Sequence, residues 1–155
     1  MKKPTYSVRR SILPDVSLLA ADMRDGDVEE VRKLGVRPRT AIMQGYLHGE
    51  CYTGLYGTEV LCMYGVVPQK HAGCIWMLSS NKLYDHLMGV NRITRKELKR
   101  FKGMYTCLYN IVDAENSITI RWLEWMGFTM GKSINHGPEG PLFKEFCLWQ
   151  SNLPS

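Results

Sequence analysis

The stretch from Met104 to Met130, MYTCLYNIVDAENSITIRWLEWMGFTM, constrains this chain more than any other. Tyr105 to Val112 is rich in β-branched and aromatic residues and holds no Gly or Pro, which is the composition of a largely buried strand. Past Asp113 and Ala114 the period changes. Ile118, Trp122, Trp125 and Met126 fall on one helical face, with Glu115, Arg121 and Glu124 on others. Asn116 can cap that helix, and Gly127 stands where a helix stop accepts positive φ. The segment therefore reads strand, turn, amphipathic helix, glycine stop, and a further strand from Phe128.

A strand that feeds a helix opened by Asn116 and closed by Gly127-Phe128 resembles the last conserved region of the GNAT superfamily of N-acetyltransferases. The longer string, Tyr109-Asn110 through Asp113 and Asn116 to Ile120-Arg121-Trp122-Leu123-Glu124-Trp125 and Gly127-Phe128, is similar to GNAT-like proteins of tailed bacteriophages related to internal virion protein A. The string covers about twenty residues, whereas the order of elements covers most of the chain. The resemblance implies a single α/β domain with a mixed, mostly antiparallel sheet, flanking helices, and fourth and fifth strands that splay into a slot for acetyl-coenzyme A.

The upstream chain follows that order. Tyr6 to Leu13 alternates weakly as a first strand, and Asp15 to Ala21 makes a connection or helical turn. In the next helix Val28, Val31 and Leu34 are apolar at a spacing of three, Glu29, Glu30, Arg32 and Lys33 are solvated, and Gly35 ends the run. Pro38 to Gly45 makes a short helix with proline in its first turn. Cys51 to Tyr56 and Glu59 to Val67 form a hairpin around Gly57, with enough glycine nearby to suggest a bulge. Cys74 to Leu78 is the fourth strand. Ser79 to Asn91 reads as irregular, and Thr94 with Glu97 forms a capping box for a basic helix. A loop from Gly131 to Pro141 joins the last two strands, Phe128 to Met130 and Lys144 to Trp149.

Composition narrows the function classes. The 155 residues suit one domain, and 45% hydrophobic with 23% charged residues is a globular mixture. Five cysteines without metal spacing indicate neither a disulfide framework nor a zinc site, so reduced thiols are expected. MKKPTYSVRRSILP lacks the apolar core of a signal peptide and no apolar run spans a bilayer, so the inside of a cell or a particle, away from membranes, is expected, and the resemblance implies host cytoplasm or a phage virion. The net charge of +5 favours anionic ligands. Arg92, Arg95, Lys96, Lys99, Arg100 and Lys102 cluster without interleaved aromatics, which speaks against a nucleic-acid partner; the phage resemblance implies a phage or host protein as partner instead.

The resemblance also assigns roles. Backbone amides of Cys74, Ile75, Trp76, Met77 and Leu78 would hold the thioester and Asn116 would contact the cofactor, while a helix start near Thr94, with Asn91, Arg92 and Arg95, is the candidate phosphate holder by its dipole and guanidinium groups. The family's Q/R-x-x-G-x-G/A cradle has no counterpart, since Ser79 to Arg95 contains only Gly89. The tyrosine that follows the helix Asn by seven residues in many family enzymes is Leu123 here. Tyr109 is then the candidate proton donor and Glu59, the one carboxylate inside the hairpin, the candidate base, with Glu50 behind it. The alternative is a non-catalytic phage protein, a virion component or a binder of a host protein, that kept the scaffold and lost the chemistry.

Overall fold

In the computed structural model, residues 2–136 and 140–150 are described, so residues 137–139 of the expected Gly131–Pro141 loop lie outside the described residues. Strand β1 (Tyr6–Arg10) is followed by helices α1 (Leu13–Ala21), α2 (Asp25–Lys33) and α3 (Pro38–Leu47). Then come β2 (Glu50–Tyr56), β3 (Glu59–Gln69) and β4 (Ala72–Ser79), a 3-10 turn at Asn81–Asp85, and α4 (Leu87–Lys102). The chain continues through β5 (Cys107–Asp113), α5 (Ser117–Trp125), β6 (Thr129–Asn135) and β7 (Leu142–Trp149). The seven strands form one sheet in the order β1-β2-β3-β4-β5-β7-β6, with β4 and β5 the parallel pair and every other pairing antiparallel.

Local chemistry explains the boundaries. Gly35, Gly57 and Gly127 have φ of 77°, 60° and 106°, the left-handed region that a side chain disfavours. They end α2, turn the β2–β3 hairpin and follow α5. The expected bulge falls between Gly54 and Leu55. Asn116 caps α5 by accepting the N–H of Thr119 at 3.2 Å. All five cysteines are free thiols.

Two cores lie on opposite faces of the sheet. Alternation along β4 sends Ile75 and Met77 to one face and Trp76 and Leu78 to the other. On the first face α4 and α5 cover Tyr64, Leu98, Phe101, Leu108, Leu123, Phe128 and Phe146. On the second α1, α2 and α3 cover Val16, Leu19, Val31, Ile42, Met63 and Leu78. Fully buried Phe101, Leu19 and Ile42 each contribute about 1.5–3 kcal/mol from the area they remove from water.

Two expectations are corrected. Helix α4 starts at Leu87, seven residues before Thr94, whose hydroxyl donates to the Asn91 carbonyl at 3.1 Å inside the helix. Asp15 to Ala21 belongs to a full helix, in which buried Asp15 accepts from Arg9 at 2.6 Å and from Thr53 at 2.7 Å.

Candidate active site

The parallel pairing of β4 with β5 is short. Ala72, Gly73 and Cys74 face Cys107, Leu108 and Tyr109, and beyond that the strands part. Asn110 marks the parting point: its Nδ2 donates to the Ile75 carbonyl at 2.6 Å while its Oδ1 accepts the N–H of Ile111 at 2.8 Å. One side-chain amide thus spans the two strands where the main-chain ladder fails.

Helix α2 lies across the other end of the gap. Asp27 Oδ2 accepts the N–H of Ser79, the last residue of β4, at 2.8 Å. Glu30 Oε1 accepts the N–H of Asp113, the last residue of β5, also at 2.8 Å. Each carboxylate satisfies a strand amide that would otherwise be buried without a partner. The neighbours on the same step of three complete a stripe. Arg24 donates to Asp27 at 2.8 Å and to the Thr119 hydroxyl of α5 at 3.2 Å, and Lys33 donates to Asp113 at 2.8 Å and to Glu115 at 3.0 Å. Glu30 and Lys33, read from sequence as solvated, are therefore tied to the splayed strands, because α2 packs against the sheet end rather than standing in water.

Between these two braces lies a cavity of about 470 Å³ on the α2–α3 face, with Glu30, Gln44, His48, Cys74, Asn110 and Thr119 among its lining. A smaller one of about 80 Å³, almost wholly apolar, lies on the α4–α5 face. Both are bounded by Ile75, Trp76, Met77 and Trp122, so they adjoin across the splayed half of β4. Ile75 O, Ser79 N and Ser79 O all point toward the β5 side, and the two-residue strand repeat turns the N–H and C=O of Met77 the same way. No strand lies opposite them.

The electrostatics of the cavity centre on Glu30. Burial pushes its carboxyl from 4.5 up to about 7; the Asp113 amide opposes that rise, and the nearby Asp27 and Asp113 add to it. The Cys74 thiol is pushed up by burial and is thereby a poor nucleophile. Trp76 lays its ring over Gly45 of α3, where an added Cβ would come within 2.3 Å of the ring, and its buried indole N–H has no partner.

The expected site residues divide. Cys74, Ile75, Trp76, Met77 and Leu78 do line the slot. Asn116 caps α5 one turn before Thr119 and borders neither cavity, and its buried Nδ2 has no hydrogen-bond partner. Tyr109 sits beside Cys74 at the last paired position but borders neither cavity, and burial raises its phenol. Glu59 opens β3 at the exposed hairpin turn and borders neither cavity, because β3 begins at the strand end next to Gly57. Arg92 and Arg95 diverge within α4 instead of flanking its start: Arg92 borders a groove beside β1, and Arg95 lies over the Trp125 ring at 4.5 Å. At the true start of α4, Leu87 and Met88 are exposed, and the Tyr6 ring rests against Gly89.

Glu30 is the residue that sequence reasoning missed. Its signal was the stripe Arg24, Asp27, Glu30, Lys33, an alternating set of charges at a step of three beside the apolar stripe Val28, Val31, Leu34. Such a stripe on a half-buried helix finds its partners on neighbouring elements.

No protein-family model matches the sequence, and no curated protein is similar to it in sequence. Solved structures do match in shape. An acetyltransferase (GNAT family) from Bacillus anthracis aligns with TM-score 0.71 at 15% identity, over 98% of this chain and 99% of its own. An N-acetyltransferase from Staphylococcus aureus Mu50 aligns with TM-score 0.71 at 12% identity, over 94% and 99%. A GNAT family acetyltransferase from Elizabethkingia anophelis with acetyl-CoA bound aligns with TM-score 0.65 at 15% identity, over 93% and 97%. The chain therefore has the GNAT fold, a mixed α/β sheet with one parallel pair, complete from β1 to β7. Among the described residues no helix is long and apolar enough to cross a membrane.

Proposed function

We propose that this chain is an N-acyltransferase that moves an acetyl group from acetyl-coenzyme A to an amine, with Glu30 as the group that takes the amine proton. The observation that carries the proposal is the Glu30 carboxyl bordering a cavity that opens between splayed strands, where burial pushes it up to about 7. A base is most effective when its pKa lies near the working pH, and burial has brought Glu30 there. The similarity in shape to an acetyltransferase with acetyl-CoA bound supports the choice of donor.

Different parts of this cofactor meet different fits. The thioester arm finds the backbone of Ile75 to Leu78, with the Met77 N–H and C=O without a strand partner. Acetyl-coenzyme A would supply an activated carbonyl, with its thiol as leaving group. Leu123 offers no proton to that thiol, and the proposal assigns its return to the phenol of Tyr109, at the last paired position beside Cys74. The diphosphate finds only the bare first-turn N–H groups of α4, without a basic residue in that turn. Weak cofactor binding is the consequence.

That thin phosphate end favours one second reading, a non-catalytic GNAT-fold bacteriophage protein serving in the virion or binding a host protein. In that case the α2 carboxylates act only as braces for β4 and β5. Thiol release from acetyl-coenzyme A in the presence of primary amines separates the two. The proposal expects release that rises with pH through 7 and falls at least about a hundredfold in Glu30→Gln. A wild-type protein that releases no thiol with any amine, although it binds the cofactor, supports the second reading.

A further inference from the structure

A groove runs between β1 and α4, on the far side of α4 from α5 and apart from the slot. Its lining includes Arg10 from β1 and Arg92, Lys96 and Arg100 from α4, against the single carboxylate of Glu97. Arg100 is neutralised by Glu97 at 2.7 Å and Arg9 by buried Asp15 at 2.6 Å. Arg92 and Lys96 are exposed and have no ion-pair partner among the described residues, and Arg10 reaches Glu50 only at 4.0 Å. The sequence showed half of this cluster; the fold adds the β1 half.

The groove is also the open edge of the sheet. Thr5 O and Ser11 N bond to the β2 side, at Gly57 and Cys51, so the two-residue repeat turns the N–H groups of Tyr6, Val8 and Arg10 outward. All five residues of β1 are exposed. An open edge with exposed main-chain donors accepts an added strand. We infer that this edge and the cationic face of α4 together bind an extended, acidic peptide segment of a partner protein, which joins the sheet beside β1 and points alternate carboxylates at Arg92 and Lys96.

Other occupants fit less well. A second copy would bring two cation-rich grooves together, with like charges opposed. Single-stranded nucleic acid needs open aromatic faces for its bases. Here Tyr52 is covered by Arg100 at 4.7 Å, Arg10 at 5.4 Å and the Tyr64 ring at 5.8 Å, and Tyr6 is covered by Gly89 and by Tyr56 at 4.9 Å.

The test is fluorescence anisotropy on the full chain with a labelled peptide that alternates glutamate and threonine. An isomer of the same composition with its glutamates in one block, and an oligothymidylate, serve as comparisons. Alternation places every carboxylate on one side of a strand, so the alternating peptide should bind at least about tenfold tighter than the blocked one, and binding should weaken with salt. Arg92→Glu should weaken it by about tenfold. Val8→Pro, which removes an outward N–H and no β1–β2 bond, should do the same. Hydrogen exchange should slow at the amides of Tyr6, Val8 and Arg10 on binding, and this readout decides the matter if Val8→Pro fails to fold. Equal binding of the two isomers, unchanged affinity in Arg92→Glu, tighter binding of the oligothymidylate, peptide-induced dimerisation, or no peptide binding at low salt would each overturn the inference.

Discussion

Asn110 joins β4 to β5 through its side chain, donating to the Ile75 carbonyl at 2.6 Å from the point where the two strands part. The same amide accepts the Ile111 N–H, so it stands in for one rung of the ladder and fixes where the slot begins. Asn110→Asp keeps the acceptor, loses the donor and sets a negative charge against a carbonyl. A loss of about 1–3 kcal/mol is expected in urea unfolding, with an unchanged denaturant slope. A neutral result would mean that the splay is set by packing alone.

The Arg24–Asp27 pair is nearly inaccessible, at 12% and 6% side-chain exposure, whereas Arg32–Glu29 on the same helix is open at 72% and 45%. Removing one partner of a buried pair leaves an uncompensated charge, and Asp27→Ala also strips the Ser79 amide of its acceptor. A loss of about 3–5 kcal/mol is expected there, against less than about 1 kcal/mol for Arg32→Ala. Paired urea titrations of the two variants check the contrast.

Gly45 tests the wall of the slot. Alanine in a helix gains about 1 kcal/mol over glycine, but the added methyl would collide with the Trp76 ring, which must then turn into the cavity. Overpacking of this kind costs about 1–3 kcal/mol, so Gly45→Ala should be destabilising on balance and should shift the tryptophan emission.

Glu30 makes stability depend on pH with a definite sign. Its folded pKa, about 7, lies above its usual 4.5, so between those values the folded chain holds a proton that the unfolded chain has released. Stability from this group is present below pH 4.5 and is lost as pH rises through 7, by at most about 3 kcal/mol. Glu30→Gln should remove that loss, so its advantage over wild type in thermal unfolding grows from pH 5 to pH 8. A constant difference across that range would place the Glu30 carboxyl at its ordinary pKa.

Much of the fold was legible because its elements declare their ends. Asn116 and Gly127 bracket α5, Gly57 turns the hairpin, and the change of period after Asp113 separates β5 from the helix. The start of α4 was hidden for the opposite reason: His86 precedes it without a side-chain cap, and Leu87, Met88 and Gly89 are poor advertisements for a helix. The position of β4 beside the parting strands followed from the family resemblance rather than from any local pattern. Glu30 could not, because its burial depends on where α2 lies relative to two strand ends more than forty positions downstream, a relation no local pattern contains. The groove beside β1 was half visible for the same reason.

The central claim is that the parted strands β4 and β5 accept acetyl-coenzyme A. Thermal unfolding with the cofactor, alongside a calorimetric titration, tests it most directly. At a hundred times the dissociation constant, the bound ligand should stabilise the fold by about 2.7 kcal/mol. Unfolding curves that superimpose with and without millimolar acetyl-coenzyme A would contradict the account.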